Sequence, residues 1–439
     1  MNLIETNKSS IRACRILLFS FHYPPDQSAG AHRSQALVKA LADEEQQSII
    51  WVFSSTPRRY GIRKFCSGQG LKSINSATYS TSIRIKRFWV PFFGNGPLSS
   101  AIAYFFYMLQ TIPAALLVRP EIVIGTSAKL LTSFVAACSA KLTGARLYID
   151  FRDTFADNYF YFYRWHKRII LQSVIMIIEN IVLRCATSIN MVSVGFEDAF
   201  HGWDRILQKY HISVTNFPNG IEKGTRQQIE DATRNKKIVG DSYSIVYAGN
   251  LGEGQDLVSL LKSIARNPKA IDELNAQKVR IQIYGAGAHS EIIERLTAKG
   301  IGIHPKGSLA GLVSYKGLVP NEEMANIYKE ADCLMLQLGL YNSLSMVIPS
   351  KIFEYASTPY PIIFGASGFA YEFINQINGC ISFKQGNAKS FLDAVKLARI
   401  TKPDLKSRSD FLDKYNRENI SSSFAKHILY SDFNKYNQV

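Results

Sequence analysis

The sequence has no Cys-x-x-Cys pair and no cluster of cysteine with histidine. Its six cysteines, Cys14, Cys66, Cys138, Cys185, Cys333 and Cys380, are scattered through 439 residues. This pattern argues against a disulfide scaffold and a zinc site, and fits a reduced, cytoplasmic setting. The first twenty residues lack a basic region followed by a long apolar run, so no signal peptide is expected. There is no low-complexity tract and no short-period repeat. With 46% hydrophobic and 20% charged residues, the chain is neither disordered nor collagen-like. Its length suggests about two to four domains.

Acidic residues are missing from one long stretch. Residues 46–120 contain no Asp or Glu, yet hold nine bases: Arg58, Arg59, Arg63, Lys64, Lys72, Arg84, Lys86, Arg87 and Arg119. Up to Pro218 the chain has 24 basic and 13 acidic residues, a net of +11; beyond it 27 and 22 leave +5, for +16 in all. Such a field attracts nucleic acid, an anionic membrane or phosphorylated ligands, unless it is only a solvated loop.

Uninterrupted hydrophobic runs are also missing. Residues 98–118 approach the ~20 residues that span a bilayer, but Gln110 and Pro113 break the run, and Ser99 and Ser100 dilute its start. Residues 169–183 are too short and carry Gln172, Glu179 and Asn180. Ile170, Val174, Ile177, Ile178 and Ile181 form a helical stripe there. Both segments are expected to be buried or interfacial helices rather than spans.

What is present is an alternation of short apolar runs with helical patterns. Residues 16–20, 48–53, 121–124, 146–149 and 188–192 are candidate strands, with a helix over 31–41. After turn chemistry at residues 216–220 and a polar stretch to Asp241, the alternation restarts. Strands are expected at 244–247, 280–284, 312–315, 333–336, 361–364 and 381–383. Helical patterns cover 256–264, 289–298 and 321–329. The runs are continuous rather than alternating, as in parallel sheets covered on both faces. This predicts two α/β domains joined near residue 218, with a ligand in a cleft outside the carboxyl ends of the strands.

Five motifs carry possible chemistry. Residues 21–33, FHYPPDQSAGAHR, follow the first strand and open a helix. Gly30 allows close backbone approach, and N–H groups at a helix start favour an anion; the alternative is an ordinary loop capped by Ser28. Residues 247–256, YAGNLGEGQD, repeat the arrangement in the second half, where Gly249, Gly252 and Gly254 permit a close approach to phosphate. Residues 284–289, YGAGAH, form a tight turn whose spacing is incomplete for a nicotinamide fingerprint. In residues 347–355, VIPSKIFEY, Ser350 reads as a helix cap. Lys351 then opposes the helix dipole unless it shares an anion such as a diphosphate with the free N–H groups. Glu354, one turn on, either complements the dipole or accepts hydrogen bonds from a ribose diol. Finally, Asp150, Arg152 and Asp153 in residues 150–157, DFRDTFAD, either position a hydroxyl or supply a base, or form an internal Arg–Asp ion pair.

These motifs, in this order, resemble glycosyltransferase family 4, the retaining nucleotide-sugar enzymes of GT-B fold, and come nearest its bacterial surface-polysaccharide branch. The similarity runs through FHYPPDQSAGAHR, DFRD, FPNGIE, YAGNLGEGQD, YGAG, GLVPNEEMANIYKEADCLML and PSKIFEYAST. It implies two Rossmann-like domains facing each other across a cleft: 1–217 for the acceptor, 218–414 for the donor, and a C-terminal helix in 415–439 crossing back. It also implies roles. Gly30 approaches the donor diphosphate; the turn Asn250 to Gln255, Gly252 included, holds the phosphates with Ser350 and Lys351; Val319 contacts the base; Glu354 binds the ribose. Beside these, Asp150, Asp153 and Lys351 are the catalytic candidates, and Gly285 is a further candidate for binding the donor. The segment 339–348 faces the donor sugar.

Two positions depart from the family pattern. Its first glutamate would fall at Met346, and a basic residue in a Gly-Arg-Leu pattern is replaced by Asn250. The reaction the resemblance implies is transfer of a sugar from a nucleotide-diphosphate donor, expected to be a UDP-sugar, to a hydroxyl with retention. No metal and no further cofactor are expected, since helix-end N–H groups and a lysine stabilise the departing diphosphate. No protein nucleophile stands out. The acceptor is expected to be a lipid-linked saccharide reached from the inner face of an anionic membrane, without nucleic acid as partner. Two rivals remain: a non-catalytic nucleotide-sugar-binding subunit, raised by Met346, and a nucleic-acid-binding protein, raised by the charge but without any RNA-binding signature.

Overall fold

The computed structural model describes residues 14–26, 28–57, 82–91, 97–126, 130–152, 165–196, 203–234, 241–298 and 309–431. Asp153 and the bases Arg58, Arg59, Arg63, Lys64 and Lys72 lie outside them. The chain forms two compact units. The first comprises Met1–Val192, Ala199–Phe217 and Ser421–Val439; the second comprises Ser193–Asp198 and Pro218–Ile420.

In the first unit β1 (Arg15–Phe19), β2 (Ile49–Ser55), β3 (Ser82–Phe88), β4 (Ile122–Thr126), β5 (Arg146–Phe151), β6 (Ser188–Met191) and β7 (Ser213–Thr215) make one parallel sheet in the order β3-β2-β1-β4-β5-β6-β7. The central strands are covered on both faces, which is why Ile16, Leu17, Leu18, Ile122, Val123 and Ile124 are all fully buried. The helices are α1 (Ala29–Glu44), α2 (Pro97–Val118), α3 (Leu130–Thr143), α4 (Trp165–Cys185) and α5 (Asp204–Lys209). Right-handed crossovers put α1 on one face of the sheet and α2, α3 and α4 on the other, and α3 packs against both α2 and α4.

Two strands differ from the sequence expectation. β7 has only three residues. β3, SIRIKRF, alternates basic with apolar residues because it is the outermost strand, with Arg84 and Lys86 exposed. Arg87 points the other way. Its guanidinium reaches the carbonyls of Pro24 and Ser55, the latter at 3.4 Å, and burial lowers its pKa while Asp26 and Tyr23 oppose the shift.

The second unit holds α6 (Lys223–Arg234), β8 (Tyr243–Ala248), α7 (Leu257–Ala265), α8 (Pro268–Ala276), β9 (Val279–Tyr284), α9 (Ser290–Thr297), β10 (Val313–Gly317), α10 (Met324–Lys329), β11 (Cys333–Gln337) and α11 (Asn342–Ser345). It continues with α12 (Lys351–Ala356), β12 (Ile362–Gly365), α13 (Gly368–Asn375), β13 (Cys380–Ser382), α14 (Ala388–Ala398) and α15 (Leu405–Lys414). Its parallel sheet runs β10-β9-β8-β11-β12-β13, so the connections reverse direction between β8 and β11. Hydrophobic clusters cover both faces, one built on Ile245, Ile281 and Phe391, the other on Val246, Ile352 and Phe364. Burying each such side chain contributes ~1.5–3 kcal/mol.

The last helix, α16 (Arg417–Tyr430), ends in the first unit. Its Phe424, Ala425, Ile428 and Leu429 join the core of Leu37, Leu41 and Ile50, and Phe424 stacks on Phe217 with ring centroids 5.0 Å apart.

Candidate functional site

In a doubly wound sheet, ligands bind beyond the carboxyl ends of the strands where the order reverses. In the second unit that point lies between β8 and β11, and the loop after β8 is the glycine-rich Gly249–Asp256. A neighbouring loop after β9 packs onto it, backbone on backbone. Gly249 N–H donates to Tyr284 O (3.0 Å), Leu251 N–H to Ala286 O (3.1 Å), and His289 N–H back to Leu251 O (2.8 Å). Only glycine fits there. A Cβ on Gly285 would lie 1.8 Å from Gly249 O, and one on Gly287 would lie 2.3 Å from Leu251 O; Gly285 also has φ +139°.

Side chains fix the loop from within. Asn250 Nδ2 donates to Gln255 Oε1 (3.1 Å), which also accepts from Gly252 N–H (3.3 Å). Where the resemblance leads one to expect a cation, two neutral amides bond to each other. From the other side of the reversal, the buried Gln337 at the end of β11 donates to the carbonyls of Gln255 (3.2 Å) and Asp256 (2.6 Å) and accepts from Gly386 N–H (3.3 Å). The sequence reading missed Gln337; its signal was a polar residue ending an apolar strand. It also passed over Glu253, whose Oε2 is buried and has no hydrogen-bond partner among the described residues.

α12 joins the same strand ends through Tyr355, whose hydroxyl accepts from Ala248 N–H (3.0 Å) and donates to Ala248 O (3.2 Å). Lys351 opens this helix, and the anion it shares is Glu354. Its Nζ lies 2.8 Å from Glu354 Oε2 and 3.3 Å from the Tyr328 hydroxyl, which donates to the same Oε2 at 2.6 Å. Burial and then the Glu354 carboxylate push the Tyr328 hydroxyl well above its ordinary pKa, so it remains a proton donor. The Lys351 and Glu354 side chains are 30% and 24% exposed, open enough to exchange partners with an incoming ligand. Ser350 does not cap the helix as expected. Its backbone is already helical, φ −60°, ψ −29°, and its side chain makes no cap bond; a capping hydroxyl needs extended geometry to reach the N–H groups ahead of it. Val319, half-buried, packs against the cluster of Tyr328, Ile352 and Tyr355. The structure thus gathers Asn250, Gly252, Gln255, Gly285, Val319, Ser350, Lys351 and Glu354 around the ends of β8, β9 and β10 and the start of α12.

The first unit has an equivalent reversal between β1 and β4. There Ser28 caps α1, accepting from Ala31 N–H (3.2 Å), and the Gly30 carbonyl accepts from Arg152 Nη1 (2.8 Å). Asp150, at the end of β5, is fully buried. Its carboxylate accepts from Arg33 Nε and Nη2 (both 2.9 Å), Arg152 Nε (2.8 Å) and Asn190 Nδ2 (2.8 Å). Burial by itself would raise this carboxyl, but the guanidiniums of Arg33 and Arg152 outweigh it and hold it well below the usual carboxylate range. At Asp150 the structure shows the internal ion pair that the sequence left open beside a base. Its four donors, three of them on guanidiniums, hold this carboxylate in its ionised form. The cluster ties α1 to β5 and, through Arg33 Nη2 (2.7 Å) and Asn190, to the carbonyl of Phe217.

Among the described residues no group of three His, Cys, Asp or Glu is placed to hold a metal ion. Among the described residues one helix segment, Ala101–Val118, is long and apolar enough to cross a membrane.

Neither a protein-family profile nor a curated protein sequence matches the chain. Among solved structures it is similar to sucrose-phosphate synthase from Thermosynechococcus elongatus, with TM-score 0.67 and 13% identity over 94% of this chain and 98% of that one. It is similar to Anabaena Alr3699/HepE in complex with UDP-glucose, with TM-score 0.61 and 11% identity over 95% and 99%. It is also similar to the apo form of the lipopolysaccharide outer core galactosyltransferase WaaB, with TM-score 0.57 and 12% identity over 95% and 99%. Identities this low speak to the fold, and the fold is GT-B: two parallel α/β sheets of seven and six strands.

Proposed function

We propose that the chain is a retaining glycosyltransferase. It moves a sugar from a nucleotide-diphosphate sugar, a UDP-sugar by preference, to a hydroxyl of a lipid-linked saccharide in surface-polysaccharide synthesis on the cytoplasmic side of the membrane. The second unit takes the donor and the first the acceptor. The observation that carries this reading is the convergence of two mutually packed glycine loops with the Lys351–Glu354–Tyr328 trio at the order reversal of the second sheet. The arrangement offers glycine turns that allow close backbone approach and an ammonium to a departing diphosphate, and a carboxylate to a ribose diol. The UDP-glucose complex of the similar HepE structure and the polysaccharide role named for WaaB support it.

Chemically, the departing diphosphate needs its charge matched while the glycosidic bond breaks. Lys351 supplies a cation that swings from Glu354 to phosphate. Glu354 stays oriented by the Tyr328 hydroxyl and is freed for the ribose. A thermal-shift panel of UDP, GDP, ADP and their sugars tests the assignment, because a ligand bound to the native state raises its melting point. One nucleoside diphosphate should stabilise the protein and lose its effect in Lys351→Gln. No shift with any of them refutes the reading.

The neutral Asn250–Gln255 pair favours one second reading, a nucleotide-sugar-binding subunit without turnover. It predicts the same shift with no transfer to any acceptor, whereas the enzyme reading requires release of nucleoside diphosphate that Glu354→Ala abolishes.

A further inference from the structure

The outer face of α2 is apolar and, among the described residues, uncovered. The window Ala101–Val118 has a mean hydropathy of 1.7, yet only 33% of it is buried. Ala103, Tyr104, Tyr107, Thr111 and Ala115 face the core. Phe105 (52% exposed), Leu109 (53%) and Leu117 (84%) point away from it. Beside them Trp89, 60% exposed, follows directly on β3 and meets Phe106 edge-on, with ring centroids 6.0 Å apart. The side chain of Gln110 locks the two elements together by donating to the Trp89 carbonyl (2.7 Å). β3 itself turns Arg84 and Lys86 outward. All these residues fall within the acid-free stretch 46–120.

We infer that this face docks onto the surface of an anionic lipid bilayer. The helix does not span it. The Tyr107 hydroxyl donates to Phe53 O (2.7 Å), pinning α2 to β2, and crossing would strip a whole face from the core. Lying in the interface, α2 sinks its aromatic and leucine side chains to the acyl boundary, Trp89 sits at headgroup depth, and the bases meet lipid phosphates. Charge selects this occupant over a second copy of the chain, because the exposed Arg84 and Lys86 beside the apolar face attract lipid phosphates and repel their counterparts in another copy. The inference goes beyond the transferase reading and is independent of it, since lipid binding is measured without donor or acceptor.

The test is flotation of the full chain with vesicles of phosphatidylglycerol and phosphatidylcholine in equal parts, against pure phosphatidylcholine, at low and high salt. The wild type should float with the anionic vesicles at low salt and stay behind with the neutral ones. Arg84→Gln with Lys86→Gln should lower partitioning about 30-fold. Phe105→Ser, Leu109→Ser and Leu117→Ser combined should abolish it while leaving the nucleotide-induced thermal shift intact. The charge variant provides a separate reading if the triple variant fails to fold. Recovery of the wild type in the unbound fraction, equal flotation of the charge variant, or a dimer in light scattering that the triple variant dissociates would overturn the inference.

Discussion

Lys351 Nζ lies 2.8 Å from Glu354 Oε2, one turn further along the same short helix. The two residues read separately in the sequence as a phosphate ligand and a ribose ligand are partners before any ligand arrives. In the proposed donor site, binding would replace this contact rather than fill an empty position. The pair is partly exposed, so the exchange costs little.

Lys351→Gln should weaken nucleoside-diphosphate binding roughly 10- to 100-fold, the range expected for losing a charge-assisted hydrogen bond of ~1.5–3 kcal/mol. Isothermal calorimetry checks this. Tyr328→Phe should act more mildly, about 3- to 10-fold, because it releases Glu354 without removing a charge. An unchanged affinity in Lys351→Gln would dissociate α12 from the donor site.

Asp150→Asn should unfold the first unit more easily by ~3–5 kcal/mol, since it leaves the Arg33 and Arg152 guanidiniums buried beside a neutral partner. Denaturant titration reads the loss. A variant of wild-type stability but without transfer activity would restore a catalytic role to Asp150.

Acid should act through the same carboxylate. Its folded pKa lies below its unfolded value of about 4. The stability it contributes is then complete above about pH 4 and is lost as pH falls toward the folded pKa. The melting temperature of the wild type should drop steeply on acidification below pH 4. Asp150→Asn, already destabilised, should show a shallower slope in the same window.

Gly285→Ala should destabilise the second unit by at least ~2 kcal/mol, from left-handed backbone strain together with the clash against Gly249 O. Gly224→Ala, where a Cβ meets nothing within 4 Å, serves as the control and should not destabilise. Thermal melts of the two variants compare them directly.

The central strands were legible because burial on both faces leaves continuous apolar runs, as in ILLF of β1 and CLML of β11. The glycine loops were legible because a side chain there would collide with backbone. β3 was not, since an edge strand shows a basic–apolar alternation that reads as a solvated stretch. Asp150 was ambiguous for a different reason. Its partners Arg33 and Asn190 are 117 and 40 residues away, and no local pattern announces them. Ser350 misled because a serine before a helical run is ordinarily a cap, and only the backbone angles reveal that it is not. Gln337 gave one faint sign, a lone amide closing a buried strand.

The return of α16 sets an order of events during synthesis. The hydrophobic side of α1 around Leu37 and Leu41 is closed by Phe424, Ile428 and Leu429, which leave the ribosome only after the whole second unit. The second unit, whose segments are nearly contiguous, can finish folding while the first is still waiting for its final wall. A nascent chain stalled just short of residue 421 would carry one completed half and one with an open seam, a natural substrate for chaperones.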